Sequence, residues 1–123
     1  MKTKTRNKRG KPDPLILADI VARIVRAAGP EKIVLFGSAA RGEMGPDSDY
    51  DLLVIKEGKF KYWHVLNTIR AHLRGKKAAA DIVLVTPEQV ERYRNTPCLV
   101  ICSAIQEGKI VYDSKTSATR RPA

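Results

Sequence analysis

Two short apolar runs constrain the fold more than any other feature of this sequence. Lys32–Phe36 (KIVLF) and Tyr50–Ile55 (YDLLVI) are typical of β-strands, and turn-forming residues separate them. The segment between them holds too little helical sequence for a complete crossover helix. Because neighbouring parallel strands need such a crossover, the sequence predicts a mixed sheet rather than an all-parallel one.

Helical and strand patterns alternate along the rest of the chain. A helix begins at Asp13-Pro14, with an N-cap carboxylate and a first-turn proline, and ends at Gly29-Pro30. The remaining predicted elements are a brief helical turn at 38–42, helices at 60–73, from Thr86-Pro87, and from Thr96-Pro97 to about 105, and strands at 80–85 and 109–112. This order predicts an α/β (α+β) fold, in which a small mixed β-sheet of about four strands is flanked by helices.

The excess positive charge lies at the two ends of the chain. The formal net charge is +10, yet residues 1–12 contain six Lys or Arg and no acid, and residues 114–123 contain three more without an acid. We therefore expect basic, disordered tails at 1–12 and 114–123 around one nearly neutral domain at 13–113. A basic tail can contact nucleic acid or an acidic partner, but a solubilising end is the simpler interpretation, and we favour it.

The sequence indicates a cytoplasmic protein with no membrane segment. Its basic N-terminus lacks the apolar region of a secretory signal, and no apolar run approaches the length of a membrane span. Cys98 and Cys102 are the only cysteines, and no His/Cys set with zinc spacing accompanies them. Buried free thiols in a reducing compartment explain both cysteines best.

Three aspartates are the candidate catalytic and metal-binding residues. Asp49 and Asp51 begin the second strand, where alternate side chains face the same side, so the two carboxylates project together. A D-x-D pair alone is more often a surface turn. Asp81, however, heads another apolar strand, and beside the first pair it would complete a three-carboxylate centre or act as a general base.

Clustered carboxylates need a counter-charge, and oxygen ligands of this kind suit Mg²⁺ or Mn²⁺. Two such ions, about 3.5–4 Å apart, can hold the attacking and leaving oxygens of a phosphoryl displacement. Gly37 and Ser38 follow directly after a strand, where glycine lets the backbone approach a phosphate and the hydroxyl adds a donor. Arg41 lies one turn later, within reach of a phosphate oxygen.

Together these residues resemble the minimal nucleotidyltransferase family of the DNA polymerase β-like superfamily. In that family a strand is followed by G-S-x-x-R, a loop, D-x-D and a third aspartate on a later strand. The matching residues are Gly37, Ser38, Arg41, Asp49, Asp51 and Asp81. The resemblance covers most of residues 33–85, and residues 107–113 (EGKIVYD) also resemble such domains.

The resemblance implies transfer of AMP from ATP to a hydroxyl, with two Mg²⁺ ions and release of pyrophosphate. Gly37 and Ser38 would hold the triphosphate with help from Arg41, Asp49 and Asp51 would bind the metals, and Asp81 would complete the metal site and activate the acceptor. Short members are often antitoxins encoded beside a helical HEPN-domain toxin, and the acceptor is then a tyrosine of the toxin. Because the chain has no room for a second domain, another chain in a homo- or hetero-oligomer, or the acceptor itself, would complete the site.

Three other interpretations stay open. The chain could be a non-catalytic antitoxin that neutralises its partner by contact, although contact alone needs no clustered carboxylates. It could be an aminoglycoside-type small-molecule nucleotidyltransferase, although such relatives carry additional domains. It could also be a nucleic-acid-binding accessory acting through its basic tail, which the lack of a helix-turn-helix signal disfavours.

The helix at 60–73 carries a tryptophan and a basic end that no motif explains. We interpret Trp63 as a core or interface anchor rather than a base-stacking platform. The cations Arg70, Arg74, Lys76 and Lys77 suit the C-terminal end of a helix. Binding of an acidic partner or of RNA by this basic end stays open.

Overall fold

A computed structural model describes residues 10–45, 49–75, 79–97 and 99–115. The helices and strands, in chain order, are α1 (Pro14–Ala28), β1 (Lys32–Phe36), α2 (Gly37–Arg41), β2 (Tyr50–Ile55), α3 (Tyr62–His72), β3 (Ala80–Val85), α4 (Pro87–Tyr93), α5 (Val100–Glu107) and β4 (Lys109–Asp113). The predicted α/β class is confirmed. The two predicted tails fall mainly on residues 1–9 and 116–123, outside the described part, as does Cys98.

The four strands form one mixed sheet in the order β3-β2-β1-β4. β1 runs antiparallel to both β2 and β4, whereas β2 and β3 are parallel. The short segment after β1 allows only the antiparallel return, and α3 supplies the crossover that the parallel pair requires. The mixed sheet predicted from the sequence is therefore confirmed, and β2 and β3 are neighbours.

The sheet separates two apolar clusters. On one side, alternate β2 residues (Tyr50, Leu52, Val54) pack with α1 and α3, through Ile20, Ile24, Leu66 and Ile69. On the other side, Leu53 and Ile55 of β2 pack with Val90 of α4 and Ala104 of α5. Because successive strand residues face opposite sides, Asp51 shares the α4/α5 side with Leu53 and Ile55.

Local capping explains where several helices begin and end. The Asp13 carboxylate accepts hydrogen bonds from the Leu15 and Ile16 amides at 2.9 and 3.4 Å, and Gly29 ends α1 in a left-handed conformation. Thr86 and Gln89 form the predicted capping box of α4. These ends were predictable because they depend on neighbours in sequence.

α2 begins one residue earlier than predicted, at Gly37, and two other predicted helix starts differ from the structure by two residues or more. α3 begins at Tyr62 rather than at residue 60, and α5 begins at Val100 rather than at Thr96-Pro97. At the second position the Leu99 amide donates to the Thr96 carbonyl at 3.4 Å, so a turn precedes the helix. Proline after Thr96 favours extended backbone at the preceding residue, which delays the helix.

The described ends of the chain contact the folded part. The Gly10 carbonyl accepts from the Met44 amide, and the Ser114 amide donates to the Glu31 carbonyl, both at 2.9 Å. Cys102 is a buried free thiol, as expected. None of the helices in the described residues combines the length and apolarity needed to cross a bilayer.

Candidate active site

Asp51 and Asp81 lie side by side on neighbouring strands. The parallel register of β2 and β3 pairs them directly. Each lies two residues before a residue that packs on the α4/α5 side, Leu53 in β2 and Val83 in β3. Directly paired residues of a parallel ladder share a face, so the two carboxylates project from the same side of the sheet. The sequence left open whether Asp81 lies next to the D-x-D pair, and the register places it there.

Gly37 contacts the Asp51 side chain. The β1–β2 ladder ends with the pair Phe36 and Asp51. Gly37, the residue after Phe36, therefore lies next to Asp51. A Cβ atom placed on Gly37 would overlap the Asp51 carboxylate oxygen and would lie 3.1 Å from its Cγ. Gly37 also has φ +73°, a conformation that side chains disfavour. Glycine at this position therefore both permits the turn and leaves space for the carboxylate.

The Asp51 carboxyl group has a raised pKa. Burial is the largest cause, followed by the negative charges of Asp81 and Asp49, while Arg41 opposes the shift. Asp49 is itself exposed at the start of β2. The charges of Asp49 and Asp81 thus both act on the Asp51 carboxyl group.

The carboxylate cluster has the chemistry that a divalent cation prefers. Its donors are oxygens; burial is the main cause of the raised Asp51 pKa, and the negative charges of Asp81 and Asp49, which a cation would offset, add to it. Within the described residues, however, no three His, Cys, Asp or Glu side chains are grouped so that they could hold a metal ion. Metal binding by Asp49, Asp51 and Asp81 therefore stays a prediction.

Arg41 lies near the cluster, but two glutamates engage its side chain. Its Nε donates to Glu43 at 2.8 Å, and its Nη1 lies 3.8 Å from Glu107. The hydrogen bond and charge of Glu43 are the main causes that raise the Arg41 pKa, with smaller contributions from Glu107 and Asp51. The predicted phosphate contact would have to compete with this pairing.

Ser38 lies in the short helix after β1, whereas Tyr50 faces away from the cluster. Ser38 is half-buried in α2, and its carbonyl accepts from the Glu43 amide at 2.8 Å. Phe36 occupies the N-cap position of α2, and its side chain has no acceptor for the leading amides.

Tyr50 is buried on the α1/α3 side, away from the carboxylates as expected, and its hydroxyl accepts from the Asp13 amide at 3.2 Å.

Sequence reasoning missed Glu43 and Glu107 as parts of this site. Glu43 lies two residues after Arg41, and local charge patterning could have indicated it. Glu107 is the last residue of α5, and no local pattern connects it with Arg41. Only the packing of α5 beside α2 brings that glutamate to the arginine.

Solved structures share this fold. A Sulfolobus solfataricus protein assigned as a nucleotidyltransferase matches with a TM-score of 0.57 and 17% identity, over 82% of this chain and 80% of that one. A variant of the toxin–antitoxin MntA–HpeT with two aspartates changed to glutamate matches with a TM-score of 0.54 and 15% identity, over 80% and 75% of the two chains. A tyrosine-to-alanine variant of the same toxin–antitoxin matches with a TM-score of 0.53 and 18% identity, over 83% and 76%.

One protein family matches nearly all of the described chain. No curated protein matches this sequence significantly. The family model described as "Nucleotidyltransferase domain" matches residues 16–115, which include all six candidate site residues from Gly37 to Asp81. The chain therefore belongs to the nucleotidyltransferase domain family.

Proposed function

We propose that this chain is a metal-dependent nucleotidyltransferase that transfers AMP from ATP to a hydroxyl of a partner toxin, and so acts as a cytoplasmic antitoxin. The observation that carries the proposal is the pairing of Asp51 with Asp81 in one register, against the glycine turn at Gly37. Family membership supports nucleotidyl transfer in general. The donor, the metal, the acceptor and the antitoxin role are the proposed parts.

The three aspartates would hold Mg²⁺, or Mn²⁺ in its place. Bound cations would neutralise charge that develops on the phosphates and the leaving pyrophosphate. Asp51 contributes a carboxylate whose position is set by two strands and by the adjacent Gly37. Asp81, at an exposed position beside it, can accept the proton of the incoming hydroxyl.

The turn after β1 would bind the triphosphate. Gly37 would bring the backbone close to a phosphate, and α2 begins at Gly37, beside Asp51. Ser38 adds a hydroxyl donor. Arg41 would exchange its contact with Glu43 for one with a phosphate oxygen, a contact that charge assistance strengthens.

The toxin partner is proposed from two fold neighbours. Both MntA–HpeT structures are described as toxin–antitoxin, and they share this fold at low sequence identity. We propose that the partner here is a HEPN-domain toxin with an acceptor tyrosine. The exposed positions of Asp49 and Asp81 would be accessible to such an acceptor.

Transfer of label from ATP tests the proposal. The purified chain is incubated with α-³²P-ATP, Mg²⁺ and the product of the adjacent gene, and label on that protein is measured. Asp51→Asn should abolish the label. Asp113→Asn is the matched control, because Asp113 lies at the opposite end of β1, paired with Lys32.

The outcomes separate the interpretations. Full labelling by Asp51→Asn would show that the carboxylate cluster is not required for nucleotidyl transfer. Neutralisation of the toxin without any label would support an antitoxin that acts by contact alone.

A further inference from the structure

Helix α3 exposes an aromatic pair that neither the active site nor the core uses. Trp63 is 66% exposed and Tyr62 is 42% exposed, and their rings meet edge to face with centroids 5.0 Å apart. The interpretation of Trp63 as a core anchor is thus excluded. Large exposed aromatic side chains of this kind are enriched at the centres of protein interfaces.

Trp63 begins a line of exposed residues along α3. Asn67 and Arg70 follow on the helix at intervals of four and three residues, Arg74 lies in the turn just after its end, and all of them are exposed. At about 100° per residue, Trp63, Asn67 and Arg70 return to nearly the same angle, so their side chains form one stripe that Arg74 follows at the end of the helix. We call Tyr62, Trp63, Asn67, Arg70 and Arg74 the α3 surface.

The α3 surface has no acidic residue of its own. Residues 58–80 contain six Lys or Arg and no Asp or Glu. On the neighbouring helix α1, Asp19 is paired with Arg23 at 3.3 Å, and Arg23 donates to the His72 carbonyl at 3.0 Å. The dipole of α3 accounts for cations near its C-terminus, but not for an exposed tryptophan at its other end.

We propose that the α3 surface docks an acidic amphipathic helix of a partner protein. Carboxylates on that helix would meet Arg70 near the end of α3 and Arg74 in the turn that follows it. An apolar residue two turns away would cover Trp63, about 10 Å from Arg70. Trp, Tyr and Arg are the residues that most often dominate binding between proteins.

The geometry favours a protein helix over a nucleic acid strand. Single strands are bound in basic grooves whose aromatic rings stack on successive bases. Here the cations lie on a convex surface rather than in a groove. The rings of Tyr62 and Trp63 meet edge to face, so they do not present parallel faces on which successive bases could stack. A helix laid along α3 would contact the whole stripe at once.

This surface lies on the α1/α3 side of the sheet, whereas Asp51 and Asp81 face the α4/α5 side. Docking therefore does not depend on nucleotidyl transfer. An Asp51→Asn variant should lose transfer and keep docking, so that failure of one proposal is distinguishable from failure of the other.

The single tryptophan of the chain makes the test direct, because its emission reports on this surface alone. The probe is a synthetic helical peptide with Glu pairs at i and i+4 beside a leucine stripe, compared with the same peptide carrying Lys in place of Glu. The acidic peptide should shift Trp63 emission to shorter wavelength and reduce its quenching by acrylamide. The Lys peptide should do neither.

Charge reversal locates the contact. Arg70→Glu/Arg74→Glu should weaken peptide binding by roughly tenfold or more, measured by anisotropy of the labelled peptide. Arg92→Glu/Arg94→Glu is the matched control, because it makes the same change in net charge with two cations at α4, across the sheet. Equal binding by the two variants overturns the proposal. So does protection of Trp63 by a single-stranded RNA 20-mer but not by the peptide, or no protection by either probe.

Discussion

Replacing Gly37 with alanine should separate backbone strain from damage to the active site. Gly37 has φ +73°, and Gly42, at the other end of the same short helix, has φ +72°. A side chain in the left-handed region costs about 1–2 kcal/mol, so both Gly→Ala changes should carry this cost. The free-energy cost of backbone strain should therefore be nearly the same in the two variants.

The two glycines differ in what a new methyl group would meet. At Gly42 the nearest atom is Lys11 Cγ at 3.8 Å, an ordinary contact. At Gly37 the methyl group would overlap the Asp51 carboxylate and lie 3.3 Å from its Cβ, so the whole side chain must rotate. An off-rotamer side chain costs about 0.5–1.5 kcal/mol, and this is the expected excess loss of stability in Gly37→Ala.

The effect on activity should be larger than the effect on stability. Misplacement of a reacting group by about 1 Å can lower a rate by about 100-fold. We expect Gly37→Ala to lose label transfer by that order, while Gly42→Ala keeps most of it at a temperature where both are folded. Urea unfolding gives the stability term, and initial rates with labelled ATP give the activity. Equal rates in the two variants would refute the role assigned to Asp51 beside the glycine turn.

Other predictions concern stability. The pKa of Asp51 is raised by burial and by its acidic neighbours, so protonation of Asp51 favours the folded state. This stabilisation is complete below the unfolded-state pKa near 4, and it is lost as the pH rises through the pKa of the folded state. Asp51→Asn should therefore unfold at higher urea concentration than wild type at pH 7 and at about the same concentration near pH 3, and a gain that is independent of pH would contradict the raised pKa. Tyr50→Phe should lower the free energy of unfolding by about 0.5–1.5 kcal/mol, because it removes the acceptor of the Asp13 amide, and no change would mean that water replaces the hydroxyl. Leu53→Ala should cost about 2–5 kcal/mol, because Leu53 is fully buried, and a loss below 1 kcal/mol would show that the α4/α5 cluster is loosely packed.

Local sequence signals predicted most of the fold. The Asp13 cap, the Thr86 capping box and the two apolar strand runs depend on residues within a few positions of one another. The mixed sheet followed from one long-range inference, because too few residues separate the first two strands for a parallel crossover. The start of α5 was misplaced, because a turn around Thr96 competes with helix initiation.

The sequence by itself determined which residues could form an active site, since carboxylate, glycine and arginine chemistry belongs to the side chains. It could not determine which of them meet. The register of β2 with β3 places Asp81 beside Asp51, and the packing of α5 brings Glu107 to Arg41. The fold of α3 likewise leaves Trp63 exposed rather than buried. These relations depend on contacts between segments far apart in the chain, which local conformational preferences do not encode.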